Sequence, residues 1–254
     1  MTEYLLLRLY GPLASWGEIA VGESRHSAVH PSKSALLGLL AAALGVERDD
    51  EVAQQALAQG YRFGIKLECI GTPLRDYHTV QSGVPPRKTR FRSRRQELAA
   101  DKVGTLLSAR EYRCDSLALV AVEALDQAPH SLEKLAEALR QPHFSLYLGR
   151  KSCPLALPLA PRVQGAESLR QVLDEVPWHS LLALLGHDPQ QAWPTPTDRH
   201  ALRPGQTRYY WEDGMQAGMS ASFDSVRHDQ PVSRRRWQFA PRRELVFLAG
   251  GKQP

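Results

Sequence analysis

The N-terminal part of the chain changes its hydrophobic period twice, and each period predicts an element. Apolar side chains alternate over residues 4–10, which predicts a β-strand with one well-buried face that ends at Gly11-Pro12. Residues 35–45 are apolar nearly all round, which predicts a buried helix with Ser32 as its N-cap and Gly45 as its C-terminal stop.

The elements that follow define a fold class. The pattern predicts helices over 50–59 and 131–139. It predicts strands over 61–70 and 117–122 and a short strand over 145–148. A long arm separates the strands over 61–70 and 117–122. This β-α-(α)-β-arm-β-α-β order predicts an α+β, ferredoxin-like (RRM-like) sandwich with a long inserted hairpin, a fold that many RNA-binding modules share.

Beyond Pro154 the signals weaken and predict a smaller, irregular region. A short helix is expected over 167–175, a loop over 187–204, and strands over 207–211 and 244–248. We therefore predict a ferredoxin-like domain over 1–153 and an irregular C-terminal region with short strands over 154–254.

The distribution of charge adds a functional prediction, because the positive charge is concentrated in the arm. Ten basic and four acidic residues lie between Arg75 and Arg113, whereas the whole chain has a formal net charge of +5. A local excess of arginine is how proteins hold a polyanion such as a nucleic-acid backbone. A solvated loop that serves solubility is the alternative, but the flanking strands and the aromatic residues within the arm favour nucleic acid.

Composition argues against several other classes of protein. No apolar run approaches the roughly 20 residues needed to cross a bilayer, and the first residues do not form a signal peptide. Three scattered cysteines without a Cys-x-x-Cys pair indicate neither a disulfide framework nor a zinc site, so we expect a cytoplasmic protein without metal or cofactor.

The strongest candidate for chemistry is the segment 74–80, which places Arg75, Tyr77 and His78 side by side. One hypothesis is metal-free RNA cleavage, in which the imidazole or the phenol takes the 2′-hydroxyl proton. Another is RNA binding, with Tyr77 or His78 stacked on an unpaired base and Arg75 on phosphate. A plain sheet edge with a hydrogen-bonded histidine is the third.

Three further segments are candidate contacts for an anion or a base. A glycine followed by Arg150 and Lys151 after a predicted strand is either a phosphate contact made through backbone N–H groups or a tight turn with surface charge, and it lacks the spacing of a P-loop. Ser32-Lys33-Ser34 opens the buried helix, where it is an anion site or a plain N-cap. Trp16 is a base-stacking or a core residue.

Two other patterns point less directly to a function. The pairs His187-Asp188 and His228-Asp229 lack further ligands at helical spacing, so we discount a metal phosphohydrolase. Residues 234–237, three arginines and a tryptophan, form a second basic cluster with Arg242-Arg243, which is a nucleic-acid contact, a protein contact or a solvated edge strand.

Several motifs resemble, in order, the family of CasD subunits of the type I-E CRISPR Cascade complex. They cover residues 1–158 and comprise residues 4–9 with Gly11-Pro12 and Trp16-Gly17, then residues 36–40, 74–80, 110–112 with Cys114-Asp115, and 147–155. The resemblance implies a repeat-associated RNA-binding fold with a thumb hairpin, here at about 79–110. It also implies a cytoplasmic ribonucleoprotein subunit that caps the 5′ handle of CRISPR RNA in antiviral defence.

The implied partners are the CRISPR RNA, the Cascade backbone subunit, the large subunit and, through the complex, target DNA. A related branch of the family cleaves precursor RNA, but the matching segments are those of the type I-E branch, so no catalytic residue is assigned. The predicted RNA-contacting residues are Trp16, Ser32, Lys33, Ser34, Arg75, Tyr77, His78, Arg87, Lys88, Arg90, Arg92, Arg94, Arg95, Arg110, Arg150 and Lys151.

Overall fold

The computed structural model describes residues 1–20, 22–85, 90–176 and 206–250. Its strands are β1 Thr2–Ala14, β2 Trp16–Gly17, β3 Ser24–Arg25, β4 Ser27–Ala28, β5 Tyr61–Cys69, β6 Thr72–Gly83, β7 Val103–Ala124, β8 Arg162–Ala166, β9 Arg208–Glu212, β10 Phe223–Ser233 and β11 Gln238–Leu248. Its helices are α1 Lys33–Leu44, α2 Glu51–Gly60, α3 Arg94–Leu98, α4 Leu132–Arg140 and α5 Leu169–Asp174.

One mostly antiparallel sheet organises the described residues, in the order β10-β11-β9-β5-β7-β1-β8. The long strand β7 holds it together, because its second half pairs with β1 on one side and β5 on the other. Its first half extends away from this centre and pairs with β6 from Thr72↔Cys114 to Gly83↔Val103. The predicted arm therefore leaves the sheet as an antiparallel hairpin.

Both faces of β1 are buried, which differs from the single buried face that we predicted. Leu5 and Leu9 belong to the larger core under α1 and α4, whereas Tyr4 and Leu6 belong to a second core. β1 also continues past Gly11-Pro12, because Leu13 and Ala14 resume the ladder with Cys114 and Arg113 of β7.

The buried helix α1 confirms its predicted ends. The Ser32 hydroxyl accepts the Ala35 N–H at 3.2 Å, which satisfies one of the free donors of the first turn. At the other end Gly45 has a φ of +79°, and its N–H donates to the carbonyls of Ala41 and Ala42. The predicted second helix also forms, with Asp50 as its N-cap.

The predicted strand over 145–148 is wrong. Among the described residues this segment makes only an isolated bridge between Tyr147 and Pro154. The edge of the sheet is formed instead by β8, which pairs with Thr2–Leu6 of β1. The prediction failed because β8 shows little apolar alternation, whereas Leu146 and Leu148 do alternate but serve a turn that packs against β1.

The C-terminal strands extend the same sheet beyond β5. β9 pairs with β5 through Gly64↔Trp211 to Leu67↔Arg208, and β11 and β10 follow. The predicted strands over 207–211 and 244–248 are thereby confirmed within β9 and β11, whereas β10 was not predicted. The division of the chain at residue 153 stays a prediction.

Candidate nucleic-acid interface

The base of the hairpin presents different groups on its two faces, because side chains alternate along each strand. Arg75 and Tyr77 lie on one face, and the ring of Tyr77 is 62% exposed. Asp76 and His78 lie on the other face, with Arg110 of β7 directly opposite Asp76. The structure thus brings the predicted contacts of β6 together at one place but separates them by face.

His78 has a carboxylate partner on its own strand. Its Nε2 lies 2.7 Å from an Asp76 carboxylate oxygen, and both side chains are about two-fifths exposed. The pair fixes the orientation of the imidazole at the hairpin surface, where the ring is accessible for stacking or for proton transfer. This geometry keeps both the binding and the cleavage hypotheses open for His78.

The opposite flank of the hairpin base is anchored to the segment after β1. The Glu111 carboxylate bonds the His26 ring at 3.1 Å and accepts the Ser27 N–H at 3.4 Å, while the Ser15 hydroxyl donates to the Glu111 carbonyl at 2.9 Å. Burial acts to raise the pKa of Glu111, but the His26 and Ser27 hydrogen bonds outweigh it and lower this pKa. The anchor ties the base of the hairpin to residues 15–27.

These anchoring residues were not among the predicted site residues. His26, Ser27 and Ser15 lie in an irregular stretch with no hydrophobic period, and their partner Glu111 follows up to 96 residues later. Glu111 is the one acid between Arg110 and Arg113 in a basic arm. This was the one signal in the sequence for its positioning role.

The loop Tyr147–Pro154 is a tight turn packed against the end of β1. The Leu148 N–H donates to the Cys153 carbonyl at 2.8 Å, and the Cys153 N–H donates to the Arg150 carbonyl at 2.8 Å. The N–H groups of Lys151 and Ser152 have no protein acceptor among the described residues. Gly149 has a φ of +84°, the left-handed conformation that this turn requires.

Arg150 connects this loop to the hairpin. Its guanidinium carbon lies 5.0 Å from the ring centroid of Tyr112, which is buried beside the hairpin base on the same strand face as Arg110. Arg150 Nη1 is buried without a protein partner among the described residues. Arg110, Arg150 and Lys151 are therefore grouped on one side of the hairpin base, as an anion-binding surface requires.

The tip of the arm folds back on β6 through α3. The Ser82 hydroxyl donates to Glu97 at 3.0 Å, and Arg94 pairs with Glu97 at 2.7 Å. Arg94 also donates to the Gln81 carbonyl. Three exposed arginines around this short helix have no ion-pair partner in the part of the chain that the structure describes: Arg90, Arg92 and Arg95. Arg87 and Lys88 lie outside the described residues.

The remaining predicted contacts are buried or partly buried, which argues against their assignment to an RNA surface. Trp16 is 4% exposed in the main core. Lys33 is buried, and its ammonium pairs with Glu212 at 2.7 Å, so it is not available to a phosphate. Ser32 is buried as the N-cap, and its hydroxyl shares a hydrogen bond with that of Ser34.

Of the two His-Asp pairs, the one that the structure describes has a structural role. Asp229 accepts two hydrogen bonds from Arg242, at 2.8 and 3.0 Å, and thus serves a buried ion pair. The pair His187-Asp188 lies outside the described residues. No group of His, Cys, Asp and Glu within the described ranges is arranged to hold a metal ion. No described helix is long and apolar enough to span a membrane.

Comparisons with known proteins agree with this fold. The profile of the family described as CRISPR-associated protein (Cas_Cas5) matches residues 4–244. The chain is 35% identical over 167 residues to CRISPR system Cascade subunit CasD of Escherichia coli (strain K12), which covers 63% of this chain and 70% of that protein.

Two solved structures share the fold. A chain of a CRISPR RNA-guided surveillance complex matches with a TM-score of 0.64 and 23% identity, covering 96% of this chain and 89% of that one. A crystal structure of a Cas protein matches with a TM-score of 0.54 and 27% identity, covering 96% and 94%. The chain therefore belongs to the Cas5 family of CRISPR-associated proteins, and its resemblance to CasD is confirmed.

Proposed function

We propose that the protein is a non-catalytic subunit of a type I-E Cascade surveillance complex and that it binds and caps the 5′ handle of CRISPR RNA. The observation that carries this proposal is the grouping of Arg110, Arg150 and Lys151 beside a hairpin whose tip carries further arginines without ion-pair partners. The similarity to CasD supports the assignment to a Cascade complex.

In this proposal β1, β5, β7 and β8 with α1 and α4 are a ferredoxin-like core, and β6, α3 and the first half of β7 are its thumb. The loop Tyr147–Pro154 holds phosphate through the N–H groups of Lys151 and Ser152 and through the two cations. Tyr77 and His78 supply accessible rings to unpaired bases. The backbone and large subunits are the proposed neighbours, and the cytoplasm is the proposed compartment.

A titration of the whole chain with labelled handle RNA at several salt concentrations tests the proposal. When the logarithm of the affinity is plotted against the logarithm of the salt concentration, each single-strand phosphate contact steepens the slope by about 0.7. Replacing Arg90, Arg92 and Arg95 with Glu should therefore make the slope shallower by about 2 and weaken binding. The matched control reverses three cations outside the interface, Lys134, Arg170 and Arg243. Equal effects of the two triple variants would contradict the proposed interface.

The His78–Asp76 pair favours a second candidate function, a metal-independent endoribonuclease that cleaves CRISPR precursor RNA. Incubation of the protein with precursor RNA in EDTA separates the two. The capping proposal predicts intact RNA with both the wild type and His78→Ala. Cleavage at one site by the wild type, lost in His78→Ala, would establish the enzyme instead.

A further inference from the structure

The turn that joins β10 to β11 presents an exposed tryptophan between two arginines. Trp237 is 57% exposed, and the guanidinium carbons of Arg48 and Arg234 lie 4.6 and 5.2 Å from its ring centroid. The ring also meets Phe239 edge-on, with centroids 5.4 Å apart. An accessible indole beside guanidinium planes is the kind of platform on which unpaired nucleic-acid bases stack.

The protein holds this platform in place before any ligand binds. Trp237 has a φ of +57°, in the left-handed region that only a well-determined turn imposes on such a large residue. The Glu51 carboxylate fixes the turn, accepting the Arg235 N–H at 2.8 Å and the Ser233 hydroxyl at 3.0 Å. Arg234 crosses α1 where Gly38 leaves room, since a Cβ there would lie 3.3 Å from Arg234 Nη2.

The platform is continuous with the proposed RNA-binding loop. Both lie along α1, because the Phe144 N–H, three residues before Tyr147, donates to the Ala42 carbonyl at 3.0 Å, about one turn from Gly38, where Arg234 crosses the helix. Tyr147 is 43% exposed and begins the loop that carries Arg150 and Lys151. The start of this loop and the platform therefore lie against the same helix.

The local charge indicates how the platform contributes to binding. Four cations, Arg48, Arg234, Arg235 and Arg236, stand beside four acids, Glu47, Asp49, Asp50 and Glu51. Because these formal charges cancel, this surface does not attract a phosphate backbone as the arm does. Its contribution must come from stacking, which depends little on salt, and this distinguishes it from the arm.

We propose that Trp237, flanked by Arg48 and Arg234, is a stacking site for an unpaired base of the RNA strand next to the segment held by the loop Tyr147–Pro154. This inference rests on the proposed function for the identity of the ligand. The site would be a second RNA contact, in the C-terminal part of the chain, and its contribution to affinity would come from stacking rather than from charge.

The test is a titration of the whole chain with a labelled RNA that carries the handle and with a labelled oligouridine of equal length, each at low and high salt. Stacking is worth about tenfold in affinity per base, so Trp237→Ala should raise the Kd about tenfold. The factor should be the same at both salt concentrations. Trp237→Phe should retain part of the affinity. The matched control is Phe223→Ala, which removes an exposed aromatic ring (51% exposed) at the far end of β10 from Trp237.

Photocrosslinking with 5-iodouridine in either RNA gives a second readout that does not depend on a variant folding. The inference is supported by a crosslink to Trp237 together with a salt-independent loss in Trp237→Ala. A Trp237→Ala variant that binds both RNAs like the wild type, with no crosslink at Trp237, overturns it and assigns the patch to a protein neighbour. A different outcome would overturn the proposed function alone: the wild type binds the handle RNA no more tightly than oligouridine, and Trp237→Ala still weakens oligouridine binding.

Discussion

Gly149 is the residue on which the conformation of the basic loop depends. Its φ is +84°, and a Cβ there would lie 1.9 Å from the Ser15 carbonyl oxygen, so a side chain brings both backbone strain and a clash with backbone. We expect Gly149→Ala to lower the free energy of unfolding by about 2 kcal/mol or more. It should also weaken RNA binding, because the N–H groups of Lys151 and Ser152 would be displaced.

Denaturant unfolding and an RNA titration measure the two effects of Gly149→Ala. The control is Gly17→Ala, because a Cβ at Gly17 meets nothing within 4 Å and its φ is not positive. Gly17→Ala should change neither quantity. If the two variants behave alike, the geometry of the loop is not the cause.

Glu244 is the residue that should dominate the acid sensitivity of the fold. Burial acts to raise its pKa, but the hydrogen bond from His30 and the charges of Arg227 and Arg242 outweigh it and lower the pKa to about 2. A carboxyl with a depressed pKa stabilises the fold above its unfolded pKa, and this contribution is lost as the pH falls through the folded value.

We therefore expect the free energy of unfolding to fall by about 3 kcal/mol through this group between about pH 4.5 and pH 2. In Glu244→Gln the stability at neutral pH should be lower, because Arg242 loses a charged partner at 2.7 Å, and the acid-dependent part should shrink. Urea unfolding at a series of pH values checks both. A pH profile parallel to that of the wild type would exclude Glu244 as the source.

The buried ion pairs around Glu244 include contacts that could not be predicted from the sequence. Ser32 was predicted as an N-cap because capping depends on neighbours in the chain, and the structure confirms it. The partner of Lys33 is Glu212, 179 residues later, and no local pattern indicates such a pair. Lys33 was therefore predicted as an anion contact although it is buried.

At the scale of elements, α3 and β6 are held together by a close approach that one glycine permits. A Cβ at Gly83 would lie 2.1 Å from the Glu97 carbonyl oxygen, so Gly83→Ala should detach α3 from β6. Because the arm buries little apolar surface, the free energy of unfolding should change by less than about 1 kcal/mol, while RNA affinity falls several-fold. Amide hydrogen exchange over residues 90–100 should become faster.

Gly104→Ala is the matched control for Gly83→Ala within the same hairpin. Gly104 pairs with Ser82 in the ladder, and a Cβ there would make an ordinary contact of 3.7 Å. Exchange over residues 90–100 and RNA affinity should stay as in the wild type. An unchanged exchange rate in Gly83→Ala itself would show that α3 does not depend on this approach.

The elements that the sequence predicted best are those whose signal is local. α1 and α4 have caps within their own sequence, and both were placed within two residues of their ends. β1 was predicted too short because its last residues, Leu13 and Ala14, are held by β7, about a hundred positions away in the chain. β8 was missed because an edge strand is defined by its partner rather than by its own period.

At the scale of the whole molecule, the sheet joins the two regions that the sequence divides at residue 153. β9 covers the free edge of β5, and Tyr209 and Trp211 share the second core with Tyr4 and Leu6 of β1. Across the same boundary, Asp229 accepts the N–H of Lys33 at 2.8 Å. Removing the C-terminal region would expose both sheet edges and leave the buried ammonium of Lys33 without its counter-charge.

We therefore expect the full chain to unfold in one cooperative transition, with fluorescence and circular dichroism giving the same midpoint. A fragment of residues 1–153 should not fold alone, because it lacks β8, which pairs with Thr2–Leu6 of β1, and β9, which covers the edge of β5 and completes the second core. Replacing Lys33 with Met in that fragment should not rescue folding, since the exposed second core remains. Two separate transitions in the full chain, or a folded fragment, would show instead that the N-terminal region is an independent domain that the C-terminal strands merely extend.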